Sequence, residues 1–172
     1  MDRATPLRYV ALRYFNVAGC YPAWGVGIKG EDSTFIIPNI MKTVTGDKKF
    51  LTIFGDDYDT PDGTCIRDYV FVVDLCLAHL MALKALDNGM ESQVFNIGTG
   101  RGSSVRELIS ASEAITGKKI NVKIGKRRDG DVAKIIASPK KAERMLKWKC
   151  KAGVEEILRT SWAWQKSLSK CQ

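Results

Sequence analysis

The chain has 172 residues, 45% hydrophobic and 27% charged, which fits one globular domain burying roughly 70% of its unfolded surface and excludes a disordered polymer. Its net charge of +8 favours anionic partners without choosing among them. A solvated basic face, a nucleotide diphosphate and a nucleic acid stay open, although Trp148 is the single aromatic among the basic residues between Lys118 and Lys151, where a single-strand binder needs several.

In chain order, Met1 to Tyr9 lacks the apolar core of a secretory signal. Tyr9 to Phe15 is dense in β-formers and reads as a strand, followed by a Gly/Pro-rich loop from Gly19 to Gly30. A helix from Thr34 to Thr45 is expected to stop at Gly46, with Pro38 near the first turn where a missing N–H costs little. Phe50 to Phe54 is a second short strand leading into a turn-rich stretch, Gly55 to Thr64. Asp68 to Val73 reads as extended. Asp74 is then expected to cap a helix, Leu75 to Leu86, that is apolar nearly all round and so buried. The longest apolar stretch, Val70 to Leu86, is broken by Asp74 and His79 and is too short and polar to span a membrane.

Val94 to Ile97 is a strand opening into Gly98-Thr99-Gly100-Arg101-Gly102. Ser104 and Glu107 form a capping box for a helix whose Val105, Leu108, Ile109 and Ile115 share a face and which ends at Gly117. A strand from Ile120 to Ile124 precedes the basic loop Lys126-Arg127-Arg128-Asp129-Gly130-Asp131. Ser138-Pro139 starts a helix with Ala142, Met145 and Leu146 on one face, and a last helix runs from Val154 to about Leu168. Strands alternate with helices throughout, the pattern of an α/β fold.

Several segments invite chemistry. The glycine-rich loop at Gly98 lies where a phosphate-binding fingerprint belongs, but it reads G-x-G-x-G and no acidic residue follows about twenty positions on, so a tight turn explains it better. Asp57, Asp59 and Asp62 lack calcium-loop spacing and fit turn chemistry. His79 is the single histidine; it is expected to be a packed core residue, and no metal site is expected. Cys20, Cys65, Cys76, Cys150 and Cys171 form no CxxC pair, which predicts reduced thiols in a cytoplasmic protein, with Cys76 a small core residue. In the basic loop, Arg128 offers a fork for a diphosphate and Asp131 an acceptor for a ribose diol; an internal Arg–Asp salt bridge is the competing reading.

Five segments, in order, resemble the UDP-glucose 4-epimerase family of extended short-chain dehydrogenases. They are Leu12-Arg13-Tyr14-Phe15-Asn16, the stretch from Phe54 to Thr64 (FGDDYDTPDGT), Arg67-Asp68-Tyr69, Phe95-Asn96-Ile97-Gly98-Thr99-Gly100, and Arg127-Arg128-x-Gly130-Asp131. Trp162-Ala163-Trp164-Gln165 looks like the family's closing tryptophan-rich helix. The match runs from about Tyr9 to Lys166, and its most specific part is GDDYDTPDGT followed by RDY.

The resemblance implies an α/β fold, the C-terminal substrate-binding part of an extended short-chain dehydrogenase with the last strands of an otherwise missing Rossmann sheet. Residues 1–172 would form the UDP-sugar-binding portion, with 9–16 and about 70–87 packing on an absent NAD-binding half. By similarity, Asn16 contacts the diphosphate, Thr52, Ile53 and Phe54 line the uracil, Arg67 and Arg128 hold the diphosphate, and Asp131 holds the ribose hydroxyls. The implied activity is NAD-dependent interconversion of UDP-glucose and UDP-galactose in galactose metabolism by a cytoplasmic homodimer that contacts neither nucleic acid nor membrane. Phe35 and Ile135 depart from positions that contact the hexose in some relatives. The family's Tyr-x-x-x-Lys pair and Gly-x-x-Gly-x-x-Gly turn are missing: Tyr9, Tyr14, Tyr21, Tyr58 and Tyr69 are followed four places on by Arg13, Ala18, Gly25, Asp62 and Val73. No catalytic or NAD-binding residue is therefore assigned here, and the chain alone is expected to be inactive. The alternatives are part of another UDP-sugar decarboxylase or dehydratase, and a non-catalytic basic binding module.

Overall fold

A computed structural model describes residues 6–28 and 34–169. In chain order its elements are β1 (Val10–Tyr14), β2 (Asn16–Ala18), a 3-10 turn (Pro22–Trp24), α1 (Ile36–Thr45), β3 (Leu51–Phe54), β4 (Ile66–Arg67), β5 (Tyr69–Phe71) and α2 (Val72–Asp87). There follow β6 (Gln93–Ile97), β7 (Ser103–Ser104), α3 (Val105–Thr116), β8 (Val122–Gly125), β9 (Lys134–Ile135), α4 (Lys140–Met145) and α5 (Val154–Ser169). The alternation expected of an α/β chain is present.

The strands form small, mostly parallel sheets. β1 pairs with β6 from Val10↔Gln93 to Tyr14↔Ile97, β2 with β5, and β3 with β8. β4 lies between β7, antiparallel, and β9, parallel. The strand expected over Tyr9 to Phe15 changes partner part-way. Phe15 N–H still donates to Ile97 O at 3.2 Å, while Asn16 N–H donates to Asp68 O at 2.9 Å. The resemblance implies that residues 9–16 pack on an absent half; within this chain β1 already has β6 as a parallel neighbour.

Two apolar cores follow from the periodicity. Ile37, Ile40, Met41 and Val44 of α1 pack with Leu108 of α3 and Ile157 and Leu158 of α5, over Tyr69 and Phe71. The second core joins Leu75, Ala78 and Ala82 of α2 to Phe95, Ile97, Ala142, Leu146 and Trp148. Gly46 ends α1 and Gly117 ends α3, each in the left-handed conformation that a side chain resists. The Ser104–Glu107 capping box forms as expected.

Helix α2 departs from expectation in two ways. It starts at Val72 with Phe71 as N-cap, so Asp74 lies inside the first turn and caps nothing. Asp74 is buried, and its Oδ2 accepts from the N–H groups of Lys151 at 3.0 Å and Ala152 at 2.9 Å. The Cys150 thiol, pushed up to about 12 by burial and by its bond to Asp74, stays protonated and donates to the same oxygen at 3.2 Å. Tertiary donors have outcompeted the local cap, and the helix dipole favours a carboxylate at either position.

Second, α2 buries one face only. Leu80 is 61% exposed and Leu83 57%, with Leu77 and Met81 beside them. Cys76 and His79 lie on this outer side and are exposed, not core residues as expected. His79 Nδ1 is 2.9 Å from Leu75 O, and its ring lies 6.4 Å from that of Tyr14. Periodicity could not locate the solvent face because apolar residues surround the whole helix.

Candidate functional site

Local geometry brings distant parts of the chain to one cleft. β3 ends at Phe54, and Gly55 turns the chain at φ 83°. A Cβ on Gly55 would come within 2.6 Å of Arg127 Cγ and 2.8 Å of the Tyr58 ring, so only glycine fits that turn. β8 runs beside β3 and delivers the basic loop over the same edge. β4 and the start of β2 close the other side. The cleft has a volume of about 500 Å³, and its walls include Asn16, Thr52, Ile53, Phe54, Arg67, Arg128 and Asp131. All seven residues singled out from the sequence thus converge.

Their environments differ. Ile53 points into the core, so it can offer the cleft its backbone alone, whereas the Phe54 ring is partly exposed. The Arg128 guanidinium lies 3.9 Å from the centre of that ring, a cation–π stack. Arg67 is largely buried and held firmly. Its Nη1 donates to Ile66 O at 2.9 Å and Val132 O at 2.8 Å, and its Nη2 meets Asp131 Oδ1 at 3.3 Å. Asp131 therefore pairs with Arg67, not with either arginine of its own loop. Its second carboxylate oxygen takes no bond from a described residue and can accept from a ligand.

Sequence reasoning passed over Tyr69, which lines the cleft and a smaller adjoining pocket of about 60 Å³. Burial pushes its phenol well above the ordinary tyrosine range. The signal was present in the Arg67-Asp68-Tyr69 segment, but strand alternation alone does not say which face a tyrosine takes. Cys65, Asn39 and Lys48 also line the cleft, and no motif pointed to them.

The glycine-rich loop closes on the protein's own carboxylate. Asp68 is fully buried. Its Oδ1 accepts from Thr99 N–H at 2.9 Å and the Thr99 hydroxyl at 2.6 Å, and its Oδ2 from Gly100 N–H at 3.0 Å and Ala137 N–H at 3.1 Å. The amides a dinucleotide pyrophosphate would need are thereby occupied, and a Cβ on Gly98 would strike Asp68 Oδ2 at 2.8 Å. The loop is a structural turn and does not fit NAD.

The aspartates after Gly55 also serve the fold. Asp62 accepts from Thr64 N–H at 2.9 Å, from the Thr64 hydroxyl at 2.7 Å and from the Ser104 hydroxyl. Burial opposes its charge, but these hydrogen bonds prevail and hold the carboxyl below the usual range. Among the described residues no group of three or more His, Cys, Asp or Glu could hold a metal, and no helix is long and apolar enough to cross a membrane.

The profile of the NAD dependent epimerase/dehydratase family matches residues 1–98. The chain belongs to that family. The UDP-glucose 4-epimerase of Lactobacillus helveticus is 46% identical over 98% of this chain and 52% of its own length. That of Lacticaseibacillus casei is 45% identical over 96% of this chain and 50% of its own. A UDP-glucose-4-epimerase structure from Stenotrophomonas maltophila, with NAD and formylated UDP-arabinopyranose bound, superposes with a TM-score of 0.95 at 37% identity, over 99% of this chain and 51% of that one. One from Bifidobacterium longum in complex with NAD+ and UDP gives 0.90 at 37% identity, over 96% of this chain and 50% of that one. The chain spans about half the length of the relatives it matches. These epimerase structures thus share the partial α/β architecture seen here.

Proposed function

We propose that the cleft binds the UDP part of UDP-glucose and UDP-galactose, and that residues 1–172 act as the substrate-binding portion of an NAD-dependent UDP-glucose 4-epimerase. The observation that carries this reading is the convergence of Asn16, Thr52, Ile53, Phe54, Arg67, Arg128 and Asp131 on one cleft. Guanidinium forks suit a diphosphate, an aromatic face with edge backbone groups suits uracil, and a carboxylate suits a ribose diol. In the assigned roles, Asn16, Arg67 and Arg128 hold the diphosphate, Thr52 to Phe54 the base, and Asp131 the ribose hydroxyls.

NAD, where bound, supplies hydride exchange at the sugar's C4. Its site and the proton-transferring residues belong to a half outside this chain, because the glycine-rich loop here is closed by Asp68 and no tyrosine has a lysine four residues on. The outer face of α2, with Leu77, Leu80, Met81 and Leu83, together with Tyr14, is the surface that half would cover. The complete protein would be a cytoplasmic homodimer of galactose metabolism.

Calorimetric titration with UDP and with pyrophosphate tests the ligand assignment. A charge-assisted hydrogen bond contributes roughly 1.5–3 kcal/mol, so Asp131→Ala is expected to weaken UDP binding about ten- to one-hundred-fold. Pyrophosphate, which has no ribose, is expected to be affected far less. Arg128→Ala should weaken both ligands, and Arg128→Lys should restore only part because a point charge cannot form the fork. Unchanged UDP affinity in folded Asp131→Ala would leave Asp131 as a plain partner of Arg67.

A further inference from the structure

The adjacent arginines of the basic loop point to different places. Arg128 stands over Phe54 in the cleft, whereas Arg127 turns back onto the segment after Gly55. Arg127 Nε donates to Asp57 Oδ1 at 2.7 Å and its Nη2 donates to Asp57 O. Its guanidinium also lies 4.3 Å from the centre of the Tyr58 ring. Tyr58 is only 5% exposed, and its hydroxyl has no partner among the described residues. The ring is therefore a fixed platform. Asp57, by contrast, is 72% exposed in its side chain.

An exposed ion pair contributes little to stability, so stability does not explain why one guanidinium engages a carboxylate, a carbonyl and a buried ring. Position does. Residues 126–130 are exposed and would hold no particular course unaided, yet Arg128 and Asp131 must face the cleft. We propose that Arg127 is a positioning residue, fastening the basic loop to Asp57 and Tyr58 so that Arg128 and Asp131 stand ready in the cleft before a nucleoside diphosphate arrives. The inference rests on the UDP reading above and adds how its site is held. Its benefit is preorganisation: ordering costs are met before binding and do not subtract from affinity.

Asp57→Asn separates this role from simple charge. It removes a negative charge near a diphosphate site, so electrostatics alone makes UDP bind as well or better. Loss of the fastening makes UDP bind more weakly, by about 3- to 10-fold. Arg127→Lys keeps the charge without the fork and is expected to show a loss of similar size. The double variant should be no weaker than Arg127→Lys alone, because both changes break one contact. Asp57→Glu, which returns a carboxylate, should recover most of the affinity. Titration with UDP at fixed ionic strength reads all four variants, with thermal unfolding as a check on the fold. If Asp57→Asn equals or exceeds the parent in affinity while Asp131→Ala weakens binding, the positioning role is overturned and the UDP reading stands. If the parent does not bind UDP, or Asp131→Ala changes nothing, the UDP reading fails and takes this inference with it.

Discussion

Asp68 and Asp131 are both carboxylates inside family-like segments, yet they do opposite jobs. Asp68 is sealed, with four donors converging on it from the loops at Thr99 and Ala137. Asp131 meets one guanidinium and keeps an oxygen for the cleft. The first organises the fold and the second is open to ligand. Asp68→Ala would strand the buried N–H of Ala137 and the partly buried N–H groups of Thr99 and Gly100, and a buried donor left unpaired costs about 1–3 kcal/mol. A loss of about 1–3 kcal/mol is expected, which at this chain length lowers Tm by roughly 2–12 °C. Asp68→Asn should also destabilise, since its amide N–H₂ would confront donors. Urea denaturation of both variants measures it, and wild-type stability in Asp68→Asn would show that the loop does not need an anion.

At the scale of elements, turns decide the site more than helices do. The stretch from Gly55 to Thr64 is tied to the start of α3 through Ser104, which caps α3 and donates to Asp62. Because Asp62 has a carboxyl lowered below 3.8 in the folded chain, the charged form is favoured by folding. Its contribution is therefore present above pH about 4, the unfolded value, and disappears as pH falls through the lower folded value. Asp62→Asn should flatten this acid limb while leaving the neutral-pH cleft in place. Stability measured from pH 2.5 to 6 in both proteins checks this; parallel curves would exclude Asp62 as a source of the acid dependence. Helix α2 teaches the complementary lesson. Its extent was read from the sequence to within three residues at the start, but its Asp74 serves the Cys150–Ala152 segment and not the cap.

For the whole molecule, the cleft and the chemistry proposed for it divide between what this chain holds and what it does not. With NAD added, the 172-residue chain is expected to give no interconversion of UDP-glucose and UDP-galactose in a coupled assay, even where calorimetry detects UDP. Turnover by protein free of host epimerase would show that proton and hydride transfer need nothing outside these residues.

The order of the longer strands and helices and the caps at Ser104, Gly46 and Gly117 were readable from the sequence because each depends on local spacing, and the seven cleft residues were named by the resemblance of short segments to a known family. The tertiary structure alone decided which partner each charge took. Asp131 found Arg67, Arg127 found Asp57, and Asp68 filled the glycine-rich loop. It also decided which side of the all-apolar α2 faces outward, leaving Cys76 and His79 exposed. The physical reason is the same in each case. Backbone propensity and periodicity act over a few residues, whereas a buried or partly buried charge is satisfied by whichever donor the packing brings within about 3 Å, however far away it lies in the chain.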